Sequence, residues 1–305
     1  MTGFAEFMER ALYHPEHGFY ERGGAGRRGG HFITSPETGP LFGAVVGRML
    51  DRRWEELGRP DPFTVVDAGA GPGTLARTVA KAQPGCTPAL RWINVERSAA
   101  GRAAHTVGES TPAMPEDPIT GVIIANELLD NLPLRLFDGR GDEVGDHRPS
   151  AETRLTPRQD RACAWLAQAL DILSQGTVVV IDYMSTTGQM AARPWPEWLR
   201  TYRGHQRGDD PWAAPGTQDI TCEVALDQLS ALCQPTRVTS QAAWLKAHGI
   251  GELVAEGQAA WQAGAARGDL AALAGRSRAL ESEALLDPAG LGGFTVAEWE
   301  LSGTN

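Results

Sequence analysis

The feature that most constrains the fold of this chain is the glycine-rich segment Asp67-Ala-Gly-Ala-Gly-Pro-Gly-Thr-Leu. It starts at the end of the apolar run FTVVDA (residues 63–68) and leads directly into a helical pattern. Glycines at such a junction allow a sharp turn and let a ligand lie against the backbone, where any Cβ would block it. The segment therefore predicts a ligand-binding turn between a buried strand and a helix.

Short β-branched runs alternate with helical patterns along the chain. The runs lie at residues 63–68, 90–95, 121–125 and 177–182. Continuous apolar strands separated by amphipathic segments indicate a parallel sheet covered on both faces. The last run, FTVAEWEL at 294–301, alternates like a half-exposed strand and is expected to join the sheet antiparallel at its edge. The predicted fold class is α/β, with a Rossmann-like, mostly parallel sheet and an antiparallel edge strand.

Composition argues against several other classes. The 305 residues carry a formal net charge of −10, whereas a protein that tracks a nucleic-acid backbone needs a concentrated basic face. The four cysteines show no metal-ligand spacing, and the pair His14 and His17 has no third ligand nearby, so no metal is predicted. No signal-peptide core and no membrane-spanning stretch is visible, which predicts a cytoplasmic protein without a membrane partner.

The glycine pattern narrows the ligand. A dinucleotide fingerprint would need Gly where Thr74 stands, and the Gly-Lys-Ser/Thr ending of a Walker loop is absent. The pattern G-x-G-x-G, formed by Gly69, Gly71 and Gly73, follows an acidic strand end and fits S-adenosylmethionine, which carries an ammonium and a ribose but no phosphate. Asp67 is expected to face the ammonium, and Glu96, 23 residues beyond Gly73, to accept the ribose hydroxyls.

A second constellation, NELLDNLP at residues 126–133, follows the run GVIIA. Open α/β sheets bind ligands at the carboxyl ends of their strands, so Asn126 is assigned to the cofactor side and Glu127 to the acceptor side. The alternative is structural: Asn126 caps a helix, and Glu127 is an acid in its first turn.

Methyl transfer from a sulfonium needs positioning and electrostatics rather than a covalent nucleophile. A guanidinium acceptor could be fixed by two carboxylates through bidentate hydrogen bonds. Glu127 could pair with Asp130, Asp182 or Asp219. Glu127 and Asp130 are three residues apart and would share a face if their segment were helical.

These residues resemble the MidA family of methyltransferases, whose mitochondrial members look like complex I assembly factors that dimethylate a protein arginine. The resemblance runs from end to end of the chain. The matching segments are residues 13–20 (YHPEHGFY), 31–37 (HFITSPE), 67–75, 126–133, 182–183, 215–221 (PGTQDIT), 287–288 and 290–292.

The resemblance implies a class I methyltransferase fold with S-adenosylmethionine as cofactor, S-adenosylhomocysteine as product and no metal. It places Thr34, Ser35 and Glu37 near the cofactor, together with Ala70 and Leu75 of the matching loop. It favours Glu127 and Asp130 as catalytic residues. On the substrate side it places Asp182, Tyr183, Asp219 and His205, the last in a lid-like loop.

The chain departs from the family pattern at three places. Asp67 replaces the usual Glu, Met184 replaces the usual Gly, and a strand pair after the L-P motif shrinks to residues 138–149. The shortened segment bears on which acceptor the protein uses.

Four segments are predicted: 1–60, a helical cap with a cofactor-covering loop; 61–183, the cofactor-binding core; 184–292, an acceptor-side loop and helical insertion; and 293–305, the closing edge strand. Within them, residues 138–157 are expected to form a polar surface loop, 184–215 an irregular loop, and 241–286 helix throughout.

The predicted function is N-methylation of arginine in a protein or peptide. A small-molecule or peptide methyltransferase of specialised metabolism and a non-catalytic assembly or binding factor stay as alternatives, and a homodimer is left open. A nicotinamide oxidoreductase is disfavoured by Thr74.

Overall fold

The computed structural model describes residues 2–22, 34–203, 206–208, 210–267 and 270–302. Its helices are α1 (Phe4–Tyr13), α2 (Pro40–Glu56), α3 (Thr74–Ala82), α4 (Ala99–Arg102), α5 (Asp160–Ile172), α6 (Thr187–Ala191), α7 (Leu226–Leu232), α8 (Gln241–Ala247), α9 (Ile250–Gly264) and α10 (Leu270–Leu286). Its strands are β1 (Phe63–Ala68), β2 (Leu90–Val95), β3 (Glu109–Thr111), β4 (Ile119–Asn126), β5 (Arg135–Phe137), β6 (Thr156–Arg158), β7 (Leu173–Asp182), β8 (Met184–Ser185), β9 (Leu199–Arg203), β10 (Gln206–Gly208), β11 (Asp219–Cys222), β12 (Val224–Ala225), β13 (Arg237–Ser240) and β14 (Thr295–Leu301).

A seven-stranded sheet forms the centre of the fold, in the order β13-β14-β7-β4-β1-β2-β3. Strands β1, β2, β3, β4 and β7 pair in parallel, whereas β14 pairs antiparallel with both β7 and β13. The α/β fold class and the four predicted core strands are confirmed. One detail differs: the closing strand β14 is antiparallel as expected, but β13 lies outside it and forms the edge.

Alternate residues of the core strands enter two separate apolar layers. In β1, Phe63 and Val65 pack on the side of α2 and α3, whereas Val66 and Ala68 pack on the side of α5. This two-residue period follows from strand geometry, which points successive side chains to opposite faces. Because both faces are covered, the strands read as continuous apolar runs.

Residues 184–215 are not the irregular loop that the sequence predicts. They contain β8, α6, β9 and β10, and β9 lies between β10 and β11 in a separate three-stranded sheet. Trp195 and Trp198 are fully buried there, in a third apolar cluster shared with α1. The segment therefore has a core of its own.

Two other expectations need adjustment. The polar segment 138–157 connects β5 to β6, which pair antiparallel and flank it. The stretch 241–286 is broken into α8, α9 and α10, and Gly249 adopts a left-handed φ of 86° at the first break. Along the described part of the chain, no helix combines the length and apolar character that crossing a membrane requires.

Candidate active site

The glycine loop after β1 depends on left-handed backbone. The φ angles of Gly69, Gly71 and Gly73 are 73°, 52° and 74°, a region where L-residues with a Cβ are strained. A Cβ on Gly69 would lie 2.9 Å from Leu128, whereas one on Gly71 would meet no described protein atom within 4 Å. Gly71 borders the cavity described below, so the space beside it is open to a ligand.

Glu96, at the end of β2, ties the loop to the neighbouring strand. Its Oε2 accepts the Gly71 N–H at 2.9 Å, and its Oε1 accepts the Ser98 N–H at 2.7 Å. Each carboxylate oxygen can accept a further hydrogen bond, so these contacts leave capacity for a sugar hydroxyl. His105, which the sequence did not single out, also holds the loop, with Nε2 2.8 Å from the Gly71 carbonyl oxygen.

Asp67 is a buried acid facing the same space. Its side chain is 3% exposed, and its Oδ2 has no hydrogen-bond partner among the described residues. Burial, and then the nearby charge of Glu96, raise its pKa to about 7. An unpaired buried carboxyl is costly, so a cationic group placed beside Asp67 would be bound favourably.

A cavity of about 350 Å³ lies over the loop. Of the predicted cofactor-side residues, it is lined by Thr34, Glu37, Asp67, Gly69, Ala70, Gly71, Leu75, Glu96 and Asn126. Gly73 and Ser35 are adjacent in sequence to lining residues and do not line it. The structure thus brings together most of the predicted cofactor residues, including ones far apart in sequence.

Residues 34–37, here called the covering turn, contribute one wall of this cavity. Thr34, Pro36 and Glu37 line it. Ser35 points elsewhere: it is fully buried, and its Oγ donates to Gln241 of α8 at 3.0 Å. Burial raises the pKa of Glu37.

Glu127 also lines the cavity, at the end of β4. Its N–H donates to the Ile181 carbonyl at 2.8 Å, and its φ of 52° is left-handed. Its Oε1 accepts from Asn126 Nδ2 at 3.1 Å and from the Ser35 N–H at 3.4 Å. Burial, and then the charge of Asp182, raise its pKa to about 8.

The helix proposed for this segment is absent. Glu127 lies outside helical geometry, and only residues 129–131 form a short 3-10 turn. Asn126 is the last residue of β4 rather than a helix cap. The suggestion that Glu127 and Asp130 share a helix face is therefore wrong.

The other three acids are buried without lining the cavity. Asp182 accepts the N–H groups of Leu129 and Asp130 at Oδ2, at 3.0 and 3.2 Å, and burial raises its pKa to about 7. Asp219 accepts from Tyr20 and Asn131 at Oδ1, at 2.9 and 3.1 Å, and burial raises its pKa to about 6. Asp182 and Asp219 thus hold neighbouring segments in place.

Asp130 is 3% exposed, and its Oδ1 has no partner among the described residues. Its pKa is raised well above the ordinary value, first by burial and then by the charges of Asp182 and Asp219. Four predicted acids therefore form one cluster, in which only Glu127 reaches the cavity.

Two tyrosines that the sequence did not assign to the site also line the cavity. The rings of Tyr13 and Tyr20 stack 5.4 Å apart, with planes 20° from parallel. The Tyr20 hydroxyl donates to Asp219, and the Tyr13 hydroxyl donates to the Asn131 carbonyl at 3.1 Å. Their only sequence signal was the motif of residues 13–20.

Tyr183 borders a second cavity of about 730 Å³ rather than the first. This cavity is enclosed by residues 183–193 and 288–294, with Arg200 and Glu223. Tyr183 packs against Phe294 at 4.0 Å, and burial, followed by the nearby Glu127 charge, raises its pKa. His205 lies outside the described residues. Within the described ranges, no group of His, Cys, Asp and Glu is arranged to hold a metal ion.

Comparisons with known proteins identify the relatives of this arrangement. The chain is similar to the NDUFAF7 homolog of Drosophila melanogaster, a mitochondrial protein arginine methyltransferase, with 26% identity over 72% of this chain and 64% of that protein. The Xenopus laevis NDUFAF7 is 34% identical over 72% of this chain and 63% of its own length. The chain therefore spans less than two thirds of either relative.

Among solved structures, a candidate methyltransferase from Burkholderia thailandensis bound to S-adenosylhomocysteine superposes with a TM-score of 0.80 and 26% identity, over 99% of this chain and 88% of that one. The sequence profile of the family described as "Putative S-adenosyl-L-methionine-dependent methyltransferase" matches residues 45–156 and 147–243. These matches confirm the family resemblance predicted from the motifs. Because the profile covers most of the chain, the protein belongs to this methyltransferase family.

Proposed function

We propose that the protein transfers a methyl group from S-adenosylmethionine to a nitrogen of arginine in a polypeptide. The observation that carries this proposal is a single cavity that joins the glycine loop, Asp67 and Glu96 to the buried carboxyl of Glu127. The relatives support the same reaction class, since the B. thailandensis structure holds S-adenosylhomocysteine and the NDUFAF7 proteins are named protein arginine methyltransferases.

The residues of the loop fit this cofactor. Asp67 would accept from its ammonium, Glu96 would accept from its ribose, and Gly71 would let it approach the backbone. When bound, S-adenosylmethionine supplies an electrophilic methyl group. The unpaired Asp67 Oδ2 is the observation that favours a cationic ligand over a dinucleotide, because a phosphate next to a carboxylate would be repelled.

Glu127 is suited to hold a cationic acceptor. Its two N–H donors among the described residues both reach Oε1, so Oε2 is left for the acceptor's N–H. A guanidinium next to Glu127 would lower the pKa of its carboxyl from about 8 and favour the charged form. The resulting carboxylate orients the guanidinium and can take the proton that the nitrogen must lose on methylation.

The second cavity supports a polypeptide over a free small molecule. It starts at Tyr183, directly after Asp182, and has about twice the volume of the first. Its floor is fixed, because Glu223 is paired with both Arg193 and Arg200. An acceptor chain longer than one residue would therefore have a preformed surface beside Glu127.

The test is incubation with methyl-tritiated S-adenosylmethionine and a bacterial lysate, followed by acid hydrolysis of the protein fraction. Labelled methylarginine is expected with the wild type and not with a Glu127→Gln variant. Label confined to molecules below peptide size would instead identify a small-molecule methyltransferase. Binding of S-adenosylhomocysteine without any labelled product would favour the non-catalytic alternative.

Two further expectations stay predictions. A cytoplasmic location is tested by fractionating cells that produce the protein, and a homodimer by light scattering of the purified chain.

A further inference from the structure

The covering turn is held from one side by the helical insertion. Ser35 turns its hydroxyl away from the cavity and donates it to Gln241 Oε1 at 3.0 Å. Both side chains are 0% exposed, and the two residues are 206 positions apart in the chain. A buried hydrogen bond between such distant segments fixes the position of one relative to the other.

Gln241 is itself anchored to the central sheet. It is the first residue of α8, and its N–H donates to the Phe294 carbonyl, directly before β14, at 2.7 Å. Its Nε2 has no partner among the described residues although the side chain is buried. An unpaired amide in the interior destabilises the fold, so packing alone would be served better by an apolar residue. The bond to Ser35 is what the amide provides.

The far side of the turn is held in a similar way. Glu281 of α10 is 5% exposed, and its Oε2 accepts the Leu41 N–H at the start of α2, at 2.8 Å. Gly39 offers this helix no side-chain cap. A Cβ on Gly39 would lie 2.3 Å from the Glu281 carboxyl carbon, so the two segments are closely fitted. Glu281 thus caps α2 from another helix.

We propose that Gln241 and Glu281 are positioning residues that hold the covering turn against the cavity and, through the Ser35 N–H, orient Glu127. This inference rests on the proposed function, because Glu127 is the residue assigned to the acceptor. It extends the site into α8 and α10, none of whose residues contact the cavity.

The position of Ser35 matters for the charge of Glu127. The groups that face Glu127 are Asp182 from β7, Asp130 from the 3-10 turn, Glu37 from the covering turn and the Tyr183 hydroxyl. Negative charge on any of them disfavours the ionised form, whereas the Ser35 N–H stabilises it. Releasing Ser35 therefore raises the pKa of Glu127.

The experiment combines Gln241→Leu, Ser35→Ala and the double variant in the full chain. The carboxyl signal of Glu127 is followed by carbon-13 NMR over a pH titration, with Glu127→Gln used for assignment, and S-adenosylhomocysteine affinity is measured by calorimetry. Each single variant is expected to raise the Glu127 pKa by about 0.5 unit and to weaken binding about 10-fold. The double variant should match the single ones, because all three break the same bond.

Gln258→Leu, on the exposed face of α9, is the matched control and should change neither quantity. Additive effects of the two single variants, or an unchanged Glu127 pKa in Ser35→Ala, would overturn the proposal. Ser35→Ala also covers the case in which Gln241→Leu fails to fold, since it removes only the hydroxyl.

Glu281 is tested by rescue. Glu281→Leu should reproduce the loss of affinity, whereas Glu281→Gln keeps a carbonyl oxygen for Leu41 and should stay within about 2-fold of wild type. Glu283→Leu, exposed on the same helix, is its control, and equal losses in Glu281→Gln and Glu281→Leu would contradict the capping role. If the wild type fails to bind S-adenosylhomocysteine, the proposed function falls, while the Glu127 titration still tests the link to Gln241.

Discussion

The two sides of the cavity are built in different ways. The cofactor side is mostly one contiguous segment, residues 67–75, joined by Glu96 from the next strand, and it presents backbone N–H groups and glycine conformations. The acceptor side collects four acids, Glu127, Asp130, Asp182 and Asp219, from three distant segments. A local turn can be encoded by a few neighbouring residues. A cluster of buried acids exists only when the whole fold holds it together, so the two sides should respond differently to mutation.

The largest effect is expected on the cofactor side. Gly71→Val places a side chain in space that no described protein atom occupies, so it should obstruct the ligand and reduce S-adenosylhomocysteine affinity by about 100-fold or more. Calorimetry measures this loss. Gly141→Val is the matched control, because Gly141 also has a left-handed φ, 87°, with nothing within 4 Å, but lies in an exposed loop. Equal affinity in the two variants would show that the ligand lies elsewhere.

On the acceptor side, Glu127→Gln should lower kcat by about 100-fold while S-adenosylhomocysteine affinity stays within about 2-fold of wild type. The amide keeps a carbonyl oxygen for Asn126 and Ser35 but loses the charge that holds a cation. Single-turnover kinetics with labelled cofactor gives the rate. Unchanged turnover would remove Glu127 from the site, and a large loss of cofactor affinity would erase the distinction between the two sides.

Asp67→Asn tests charge on the cofactor side. The folded pKa of Asp67, about 7, lies above the unfolded value near 3.8, so the stability this group contributes is complete below about pH 4 and is lost as the pH rises through 7. Removing the titration should raise the Tm at pH 8 by at least about 3 °C, the shift that about 1 kcal/mol produces in a chain of this size.

This gain should shrink toward pH 4, where the wild-type carboxyl is neutral in both states. Thermal melts from pH 4 to pH 8 measure it, and the same variant should bind S-adenosylhomocysteine about 10-fold more weakly because the ligand's ammonium loses its partner. A Tm difference that does not depend on pH would show that Asp67 is not ionised in the folded protein at pH 8.

The smallest effect is expected from Tyr20→Phe. It removes one hydroxyl donor to Asp219 and keeps the ring that stacks on Tyr13, so it should cost about 1 kcal/mol of unfolding free energy. Urea unfolding at pH 7 measures this difference. Tyr202→Phe, on the neighbouring strand β9, provides the comparison, and a loss of 4 kcal/mol or more in Tyr20→Phe would mean that the whole acid cluster depends on this bond.

The sequence predicted the central sheet well for a physical reason. Strands buried on both faces must be apolar throughout, and this pattern is visible without any knowledge of the partners. β13 was missed because its four residues are mostly exposed and carry no apolar run. The strands within 184–215 were missed because they are short and lie among Pro and Gly.

The sequence by itself determined the glycine turn, its place after a buried strand and the family, since these depend on local backbone conformation and on contiguous motifs. Only the tertiary structure decided that Asp182 and Asp219 hold backbone and side-chain donors, that Glu127 alone of the four acids reaches the cavity, and that Gln241 and Glu281 support the covering turn. Hydrogen bonds between residues dozens to hundreds of positions apart depend on how the elements pack, and packing leaves no periodic trace in a single sequence.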